Sequence, residues 1–278
     1  MVDVLVIPDG AGAALLAAAR MPTLERMAAE GATTMTRITP PGLAPGSETC
    51  IPALLGCPPS EQPGRGRIDA AAYGVEVPAG LIPWRADVLA ADGSRASDAR
   101  AAAVAATMQA VHTRGHRLLI LAAAKPADTA HLRVWDDGPV PAGPLPSPTA
   151  IVCAAGAAAG VGRLLGAHVI VPARATGDVD TDLGAKRRAA TAAIAEGWPR
   201  VVVHVGGPDE AAHRRDRKAV IAVLERIDEQ LLAPIADAVG SAGGRLTVCP
   251  DHETDPATGR HSVVPVRAVR CHTEAVPA

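Results

Sequence analysis

Acidic residues and histidines recur in this chain directly after short β-branched runs. Asp9 follows Val2-Asp3-Val4-Leu5-Val6-Ile7, and Asp209 and His213 follow Arg200-Val201-Val202-Val203-His204-Val205. Asp251 and His252 follow the segment Arg245 to Cys249, His261 comes soon after, and Ser47 stands in a turn-rich stretch behind Gly46. Open α/β sheets bind their ligands at the carboxyl ends of strands. Asp209 and His213 are four residues apart, so on a helical turn both can face one ion. Asp251 and His252 are adjacent and point in different directions, serving two ions a few Å apart or giving one ligand each. Carboxylate and imidazole together suit zinc or manganese. Two such ions beside a serine hydroxyl would activate it and hold phosphoryl oxygens during in-line displacement. Any one of these residues alone is ordinarily a turn residue, a helix cap or a satisfied core group. The repetition at strand ends is what points to a metal centre.

Three cations could serve an anionic substrate. Arg65, in Gly64-Arg65-Gly66-Arg67, and Arg85 are candidate phosphate clamps, because a guanidinium matches phosphate geometry. Lys186 lies ten residues past Thr176-Gly177-Asp178 inside a helical pattern, where it either reaches an anion or faces solvent. Neither a GxGxxG fingerprint nor a Walker A sequence is present, so no nucleotide cofactor loop is expected.

The elements that must position these groups alternate between strand and helix. Strands are expected at 2–7, 117–122, 131–135, 168–171, 200–205, 245–249 and 261–269. Helices are expected at 22–31, about 48–55, 97–114, about 150–165, 182–196 and 216–239, the last with Val220, Val223, Leu224, Ile227 and Leu231 on one face. Residues 39–67 are otherwise loop, rich in Pro and Gly, and ordered loops of that length usually serve function. This rhythm predicts an α/β fold with a mainly parallel sheet and helices on both faces. Residues 76–149 read as a small α+β insert ending in a Gly/Pro-rich linker, between core segments 1–75 and 150–278.

Composition narrows the function. The chain has 278 residues, with 27 basic and 29 acidic side chains, so it lacks the basic excess of a nucleic-acid binder. Phe is absent and there are only one Tyr and three Trp, which weakens any reading built on aromatic stacking against bases. No apolar run is long enough to span a bilayer, and the first residues do not read as a signal peptide. Five scattered cysteines without CxxC spacing suggest free thiols in a reducing cytoplasm. A homodimer is the default expectation only from the frequency of twofold assemblies.

On several of these stretches the chain resembles the archaeal-type cofactor-independent phosphoglycerate mutases of the alkaline phosphatase superfamily. The matching segments are Thr23-Leu24 through Thr33, Gly42-Leu43-Ala44-Pro45-Gly46-Ser47-Glu48, Gly64-Arg65-Gly66, and Thr176-Gly177-Asp178-Val179-Asp180-Thr181 with Lys186. The most specific is His204-Val205-Gly206-Gly207-Pro208-Asp209-Glu210-Ala211-Ala212-His213, followed by Asp251-His252 and His261-Ser262. The resemblance implies an alkaline-phosphatase-like fold and two divalent metal ions, Mn or Zn. It implies Ser47 as the nucleophile that becomes phosphoserine. It implies one ion held by Asp9, Ser47, Asp251 and His252, and a second held by Asp209, His213 and His261.

The departures bear on outcome. Where the family reads Gly-Ser-Asp-x-Ala-Asn, this chain has Glu48 and Ile51 at the Asp and Asn positions. Phe-Arg-Cys-Asn becomes Trp84-Arg85-Ala86-Asp87. Relatives of this type are longer, mostly in the second domain, which retains the dephosphorylated intermediate. Without retention, water takes the phosphoryl group. The expectation is therefore hydrolysis of a small phosphorylated metabolite through a phosphoserine. The alternatives are true mutase activity, or cleavage of a phosphodiester, nucleotide or phosphonate conjugate in a biosynthetic pathway. A metal-binding interaction protein without catalysis completes the set.

Overall fold

The computed structural model describes residues 1–272 and is built on three sheets. The strands are β1 (Asp3–Pro8), β2 (Ala32–Thr36), β3 (Ile82–Val88), β4 (Val111–Arg114), β5 (Arg117–Ala122), β6 (Leu132–Val134), β7 (Thr149–Val152), β8 (His168–Ile170), β9 (Arg200–Val205), β10 (Arg245–Val248), β11 (Glu253–Asp255), β12 (Arg260–Ser262) and β13 (Val266–His272). The seven-stranded sheet has the order β2-β13-β10-β1-β9-β7-β8. From β10 across to β8 all pairings are parallel, whereas β13 and β2 add on antiparallel.

Alternation along the inner strands explains why both faces are covered. Val4 and Val6 of β1, with Val201, Val203 and Val205 of β9, pack against helices Leu183–Ala195 and Arg217–Ile227. Leu5, Ile7 and Val202 turn to the other face, against helices Ser47–Leu54, Arg65–Tyr73 and Ala157–Leu164. Strands buried on both faces read as the continuous aliphatic runs seen in the sequence.

Several boundaries differ from the sequence expectation. Residues 149–152 form β7 between β9 and β8, and the helix begins only at Ala157. Alanine favours helix, but all four residues of Thr149-Ala150-Ile151-Val152 are buried, and sheet burial overrides propensity. The helix expected at 97–114 stops at Met108, because Gln109 adopts the left-handed conformation (φ 54°) and releases β4. The stretch after Gly64 is helical, not loop: helix Arg65–Tyr73 starts there. Gly66 permits its close packing, since a Cβ at that position would stand 1.7 Å from the Pro83 carbonyl oxygen. The segment 261–269 divides into β12 and β13, and the long helix at 216–239 contains a π turn, Asp228–Leu232. The buried Asp228 carboxylate there accepts from the Thr23 and Leu24 backbone N–H groups at 3.0 Å each, closing the start of helix Pro22–Glu30.

The smaller sheet, β4-β5-β3-β6, is antiparallel and is formed wholly within residues 82–134. Its own apolar cluster comprises Trp84, Ala86, Val88, Leu118, Ile120, Leu132 and Val134, against Ala101 and Ala105 of helix Asp98–Met108. The period of two then sends Arg85 and Asp87 to the opposite face.

His116, in the turn between β4 and β5, is buried, and burial drives its imidazole down to about 4 despite Asp87 Oδ1 at 3.6 Å. Between pH 6.5 and 4 the unfolded chain therefore binds more protons than the folded one. Stability should fall as pH is lowered through that window, by about 3 kcal/mol near pH 4 from this group. Urea unfolding at pH 7 and pH 4.5 should show a smaller pH-dependent loss for His116→Gln than for the parent. Equal losses would remove His116 as the source.

Candidate metal centre

Three neighbouring parallel strands, β10, β1 and β9, bring the acidic groups to one edge of the main sheet. Asp9 follows β1, Asp209 lies in helix Gly207–His213 just after β9, and Asp251 and His252 follow β10. The Asp9 N–H donates to Val205 O at 3.1 Å and the Cys249 N–H to Val6 O at 3.0 Å, so the three strand ends are tied in register. Gly10 is required at the crossing: its φ is 68°, and a Cβ there would meet Asp209 Oδ1 at 2.8 Å and Thr254 Oγ1 at 2.9 Å. Ser47 opens helix Ser47–Leu54, and the loop before it is pinned where Pro45 O accepts from His261 Nδ1 at 2.9 Å.

One group of side chains gathers around Asp209. Its Oδ2 is 3.3 Å from His213 Nε2, its Oδ1 is 3.5 Å from His261 Nε2, and the two Nε2 atoms are 3.1 Å apart. His213 Nδ1 donates to Gly259 O at 2.9 Å, and His261 Nδ1 donates to Pro45 O. A carbonyl can only accept, so each neutral ring is left with its Nε2 lone pair aimed inward. Two converging lone pairs need a cation between them, and a ligating imidazole whose other nitrogen donates to a carbonyl is the usual support for a metal ion. Burial works to raise the Asp209 carboxyl, but His213 and His261 hold it well below the usual carboxylate range. Burial works to lower His261, but Asp209 raises it.

The other group is centred on Asp9. His252 Nε2 is 3.6 Å from Asp9 Oδ1 and 3.8 Å from Asp251 Oδ2, and Ser47 Oγ is 3.4 Å from both Asp9 oxygens. Asp251 Oδ2 and both ring nitrogens of His252 are buried without a hydrogen-bond partner. Burial, with Asp251 and Asp209 beside it, pushes the Asp9 carboxyl well above its ordinary value. Such orphaned ligand atoms, and a carboxyl holding a proton among anions, fit a pair of divalent cations whose binding displaces protons. Two candidate metal clusters result, Asp9-Asp251-His252 and Asp209-His252-His261, each with ligand atoms within 4.8 Å of one another. His252 belongs to both, its ring stacked on His261 at 4.1 Å between centroids, so it lies between the two groups.

Beside Ser47 lies a cavity of about 70 Å³ lined by Arg65, Arg85, Arg114 and Arg117 together with Asp9, His204 and Asp209. Each guanidinium is held by a carboxylate. Arg65 pairs with Glu48, the residue after Ser47. Arg85, 3% exposed, spans Asp69 at 3.1 Å and Asp87 at 2.9 Å. Arg114 and Arg117 share Glu210 Oε1 at 2.9 and 2.8 Å, while Arg95 reaches Oε2 at 3.5 Å. Trp135 packs under Arg65 and Arg85 and donates its indole N–H to Asp87 at 2.9 Å. The cavity adjoins a larger cleft of about 790 Å³ between the small sheet and the helix that carries Asp209.

Ser47, Arg65, Arg85, Asp9, Asp209, His213, Asp251, His252 and His261 are thus brought together. Lys186 is not among the side chains lining the cavity: fully buried behind the end of β9, it donates from Nζ to His204 O at 2.9 Å. Burial lowers its ammonium to about 8. Sequence reasoning missed Arg114, Arg117, Glu210, Asp69, Asp87, Trp135 and His204. His204 left a signal, as an imidazole inside an otherwise aliphatic buried strand. Arg114 and Arg117 left none, because only the β4–β5 hairpin aims them at Glu210.

The model of the metalloenzyme superfamily matches residues 2–276. The 2,3-bisphosphoglycerate-independent phosphoglycerate mutase 1 of Archaeoglobus fulgidus is 26% identical, over 97% of this chain and 88% of its own. The corresponding mutase of Methanoculleus marisnigri is 28% identical, over 91% and 82%. The Archaeoglobus alignment runs over 364 positions, more than this chain has, so that relative carries segments absent here. Among solved structures, a protein from Pyrococcus horikoshii superposes with a TM-score of 0.80 at 20% identity, over 98% of this chain and 88% of that one. The cofactor-independent phosphoglycerate mutase from Thermoplasma acidophilum gives 0.59 at 18% identity, over 100% and 91%. With its parallel sheet, its paired metal clusters and a match along nearly its whole length, the chain belongs to the metalloenzyme superfamily, the alkaline phosphatase and cofactor-independent phosphoglycerate mutase group.

Proposed function

We propose that this protein is a metal-dependent phosphoryl-transfer enzyme of the phosphoglycerate mutase type, acting on a small phosphorylated hydroxy acid through Ser47. The observation that carries the reading is the position of Ser47 Oγ, 3.4 Å from both Asp9 oxygens, at the mouth of an arginine-lined cavity beside two metal clusters. Asp9, Asp251 and His252 would hold one ion with Ser47, and Asp209, His213 and His261 the other. The ions would lower the pKa of the serine hydroxyl and offset charge on the phosphoryl oxygens. Arg65 and Arg85, locked by Glu48, Asp69 and Asp87, orient the phosphoryl group for in-line attack by Ser47 Oγ. Asp9 takes up the hydrogen bond from Ser47. Arg114 and Arg117 provide the anion-facing wall toward the rest of the substrate. Residues 76–149 act as a reduced substrate-binding insert on the core formed by 1–75 and 150–278.

Mutase-type transfer is preferred here over the hydrolysis expected from chain length, because the relatives that align over most of their length are mutases. Hydrolysis is the second reading, favoured by the open cleft and by the segments this chain lacks. The two separate in one experiment: metal-loaded protein is incubated with 3-phosphoglycerate while 2-phosphoglycerate and inorganic phosphate are followed together. Formation of 2-phosphoglycerate without phosphate release is the expected result. Phosphate release alone would replace the mutase reading by hydrolysis, and inertness toward a panel of phosphomonoesters would overturn both. Among the described residues no helix is long and apolar enough to cross a membrane, and the five cysteines are free and buried. Free, buried thiols fit a reducing compartment.

A further inference from the structure

His204 is the imidazole nearest to Asp9, and the family resemblance gave it no role. Its Nε2 lies 3.2 Å from Asp9 Oδ2, closer than His252 Nε2 comes to Oδ1 on the other side. That nitrogen is buried and makes no hydrogen bond, and the whole residue is 8% exposed. A core histidine kept only for packing would have both nitrogens satisfied or would be replaced by an aliphatic residue, as its neighbours Val203 and Val205 are. The backbone behind it is held on two sides. His204 stands opposite Ile7 in the β1–β9 ladder, two residues before Asp9, and its carbonyl accepts from the buried Lys186 ammonium at 2.9 Å. Burying a lysine for one backbone carbonyl is costly, which makes the position of that carbonyl, and hence of the ring it carries, a constrained feature.

The Asp9 carboxylate is otherwise supported from Ser47, whose hydroxyl approaches both oxygens at 3.4 Å. Once Ser47 gives up its proton to become a nucleophile, it can no longer donate. The oxygen of Asp9 not occupied by an ion then needs another donor, and a ligating carboxylate without one is poorly oriented. His204 Nε2 is in place for a small rotation of the carboxylate to complete that bond.

We propose that His204 is a positioning residue of the metal centre, donating from Nε2 to Asp9 Oδ2 and so fixing the orientation in which Asp9 meets its ion and Ser47. This rests on the reading of the Asp9 group as a metal site. It assigns Lys186 an indirect part, as the residue that fixes His204 rather than one that touches phosphate.

The test uses His204→Leu and His204→Gln in the full chain, titrated with Zn(II) and with Co(II) in the absence of substrate. The Co(II) absorption spectrum reports ligand geometry. In the leucine variant, affinity for one of the two ions should fall about 10–100-fold, with a changed Co(II) spectrum and a metal-free Tm equal to or above the parent's. Glutamine, which keeps a donor at similar reach, should restore affinity to within a few-fold. Should the leucine variant not fold, asparagine, polar but too short to reach Asp9, should show the same loss. Parent-like affinity and spectrum in the folded leucine or asparagine variant would overturn the inference, as would a glutamine variant no better than leucine. Because no turnover is measured, a parent that binds two ions yet transfers no phosphoryl group would sink the proposed function and leave this result readable.

Discussion

Ser47→Ala should lose phosphoryl transfer by on the order of 10⁴-fold or more, while the chain keeps its fold and still binds divalent cations. The magnitude follows from the role: a nucleophile that works as one unit with its activating groups takes most of the catalysis with it when removed. The fold should survive because Ser47 supplies no side-chain cap to its helix, and among the described residues its side-chain partner is Asp9, at a long 3.4 Å. The Glu48–Arg65 pair, the Arg85 carboxylate bridge and the Arg114–Arg117–Glu210 cluster do not involve the hydroxyl. Inorganic phosphate should therefore still bind. The checks are turnover with the best phosphomonoester, metal content, and intact mass after acid quench. The parent should trap a phosphoryl adduct on Ser47 and the variant none. Turnover within about tenfold of the parent would mean that water attacks directly and the covalent step does not exist.

The parts of this site that were legible in the sequence are those fixed by strand ends. A buried aliphatic run followed by an acid predicts both a central strand and a group at its carboxyl edge, and Asp9, Asp209 and Asp251 obey that rule on three adjacent strands. The spacing of Asp209 and His213 was likewise enough to place both on one helical turn, where they lie 3.3 Å apart. What was not legible depends on long-range pairing. Asp87 is only two residues from Arg85, but partners of the other cavity arginines are distant: Glu48 is 17 residues from Arg65, and Glu210 is 93 from Arg117. No local pattern encodes the second. The helical reading of residues 150–152 failed for a related reason. Their alanine-rich continuation favours helix locally, but the slot beside β9 is filled only if Thr149–Val152 is extended. Lys186 shows the converse case. A lysine in an amphipathic helix ordinarily faces solvent, and only the packing of Leu183–Ala195 on the sheet turns it inward onto His204.

Removing Asp209 should cost one ion and most of the activity. In the structure its two oxygens face two different imidazoles, His213 at 3.3 Å and His261 at 3.5 Å, and Oδ1 also accepts from Thr254 Oγ1. Among the described residues it is the carboxylate paired with both rings, so it supplies the nearest negative charge to a cation held by their Nε2 atoms. Asp209→Asn keeps the size and can keep the Thr254 hydrogen bond while losing the charge, which separates electrostatics from packing. Both Asp209→Asn and Asp209→Ala should bind one ion per chain where the parent binds two, at matched pH, and turnover should fall by at least about 10³-fold. A second readout comes from linkage. An ion that binds only the folded chain raises its stability by RT ln(1 + [L]/Kd), so the parent should gain Tm in two concentration ranges as Zn(II) is added. The variants should keep the gain that belongs to the Asp9 group and lose the other. If asparagine retains two ions at parent affinity, the imidazole pair holds its cation without Asp209. The second cluster would then have to be redrawn around His252, whose ring already stacks on His261 at 4.1 Å.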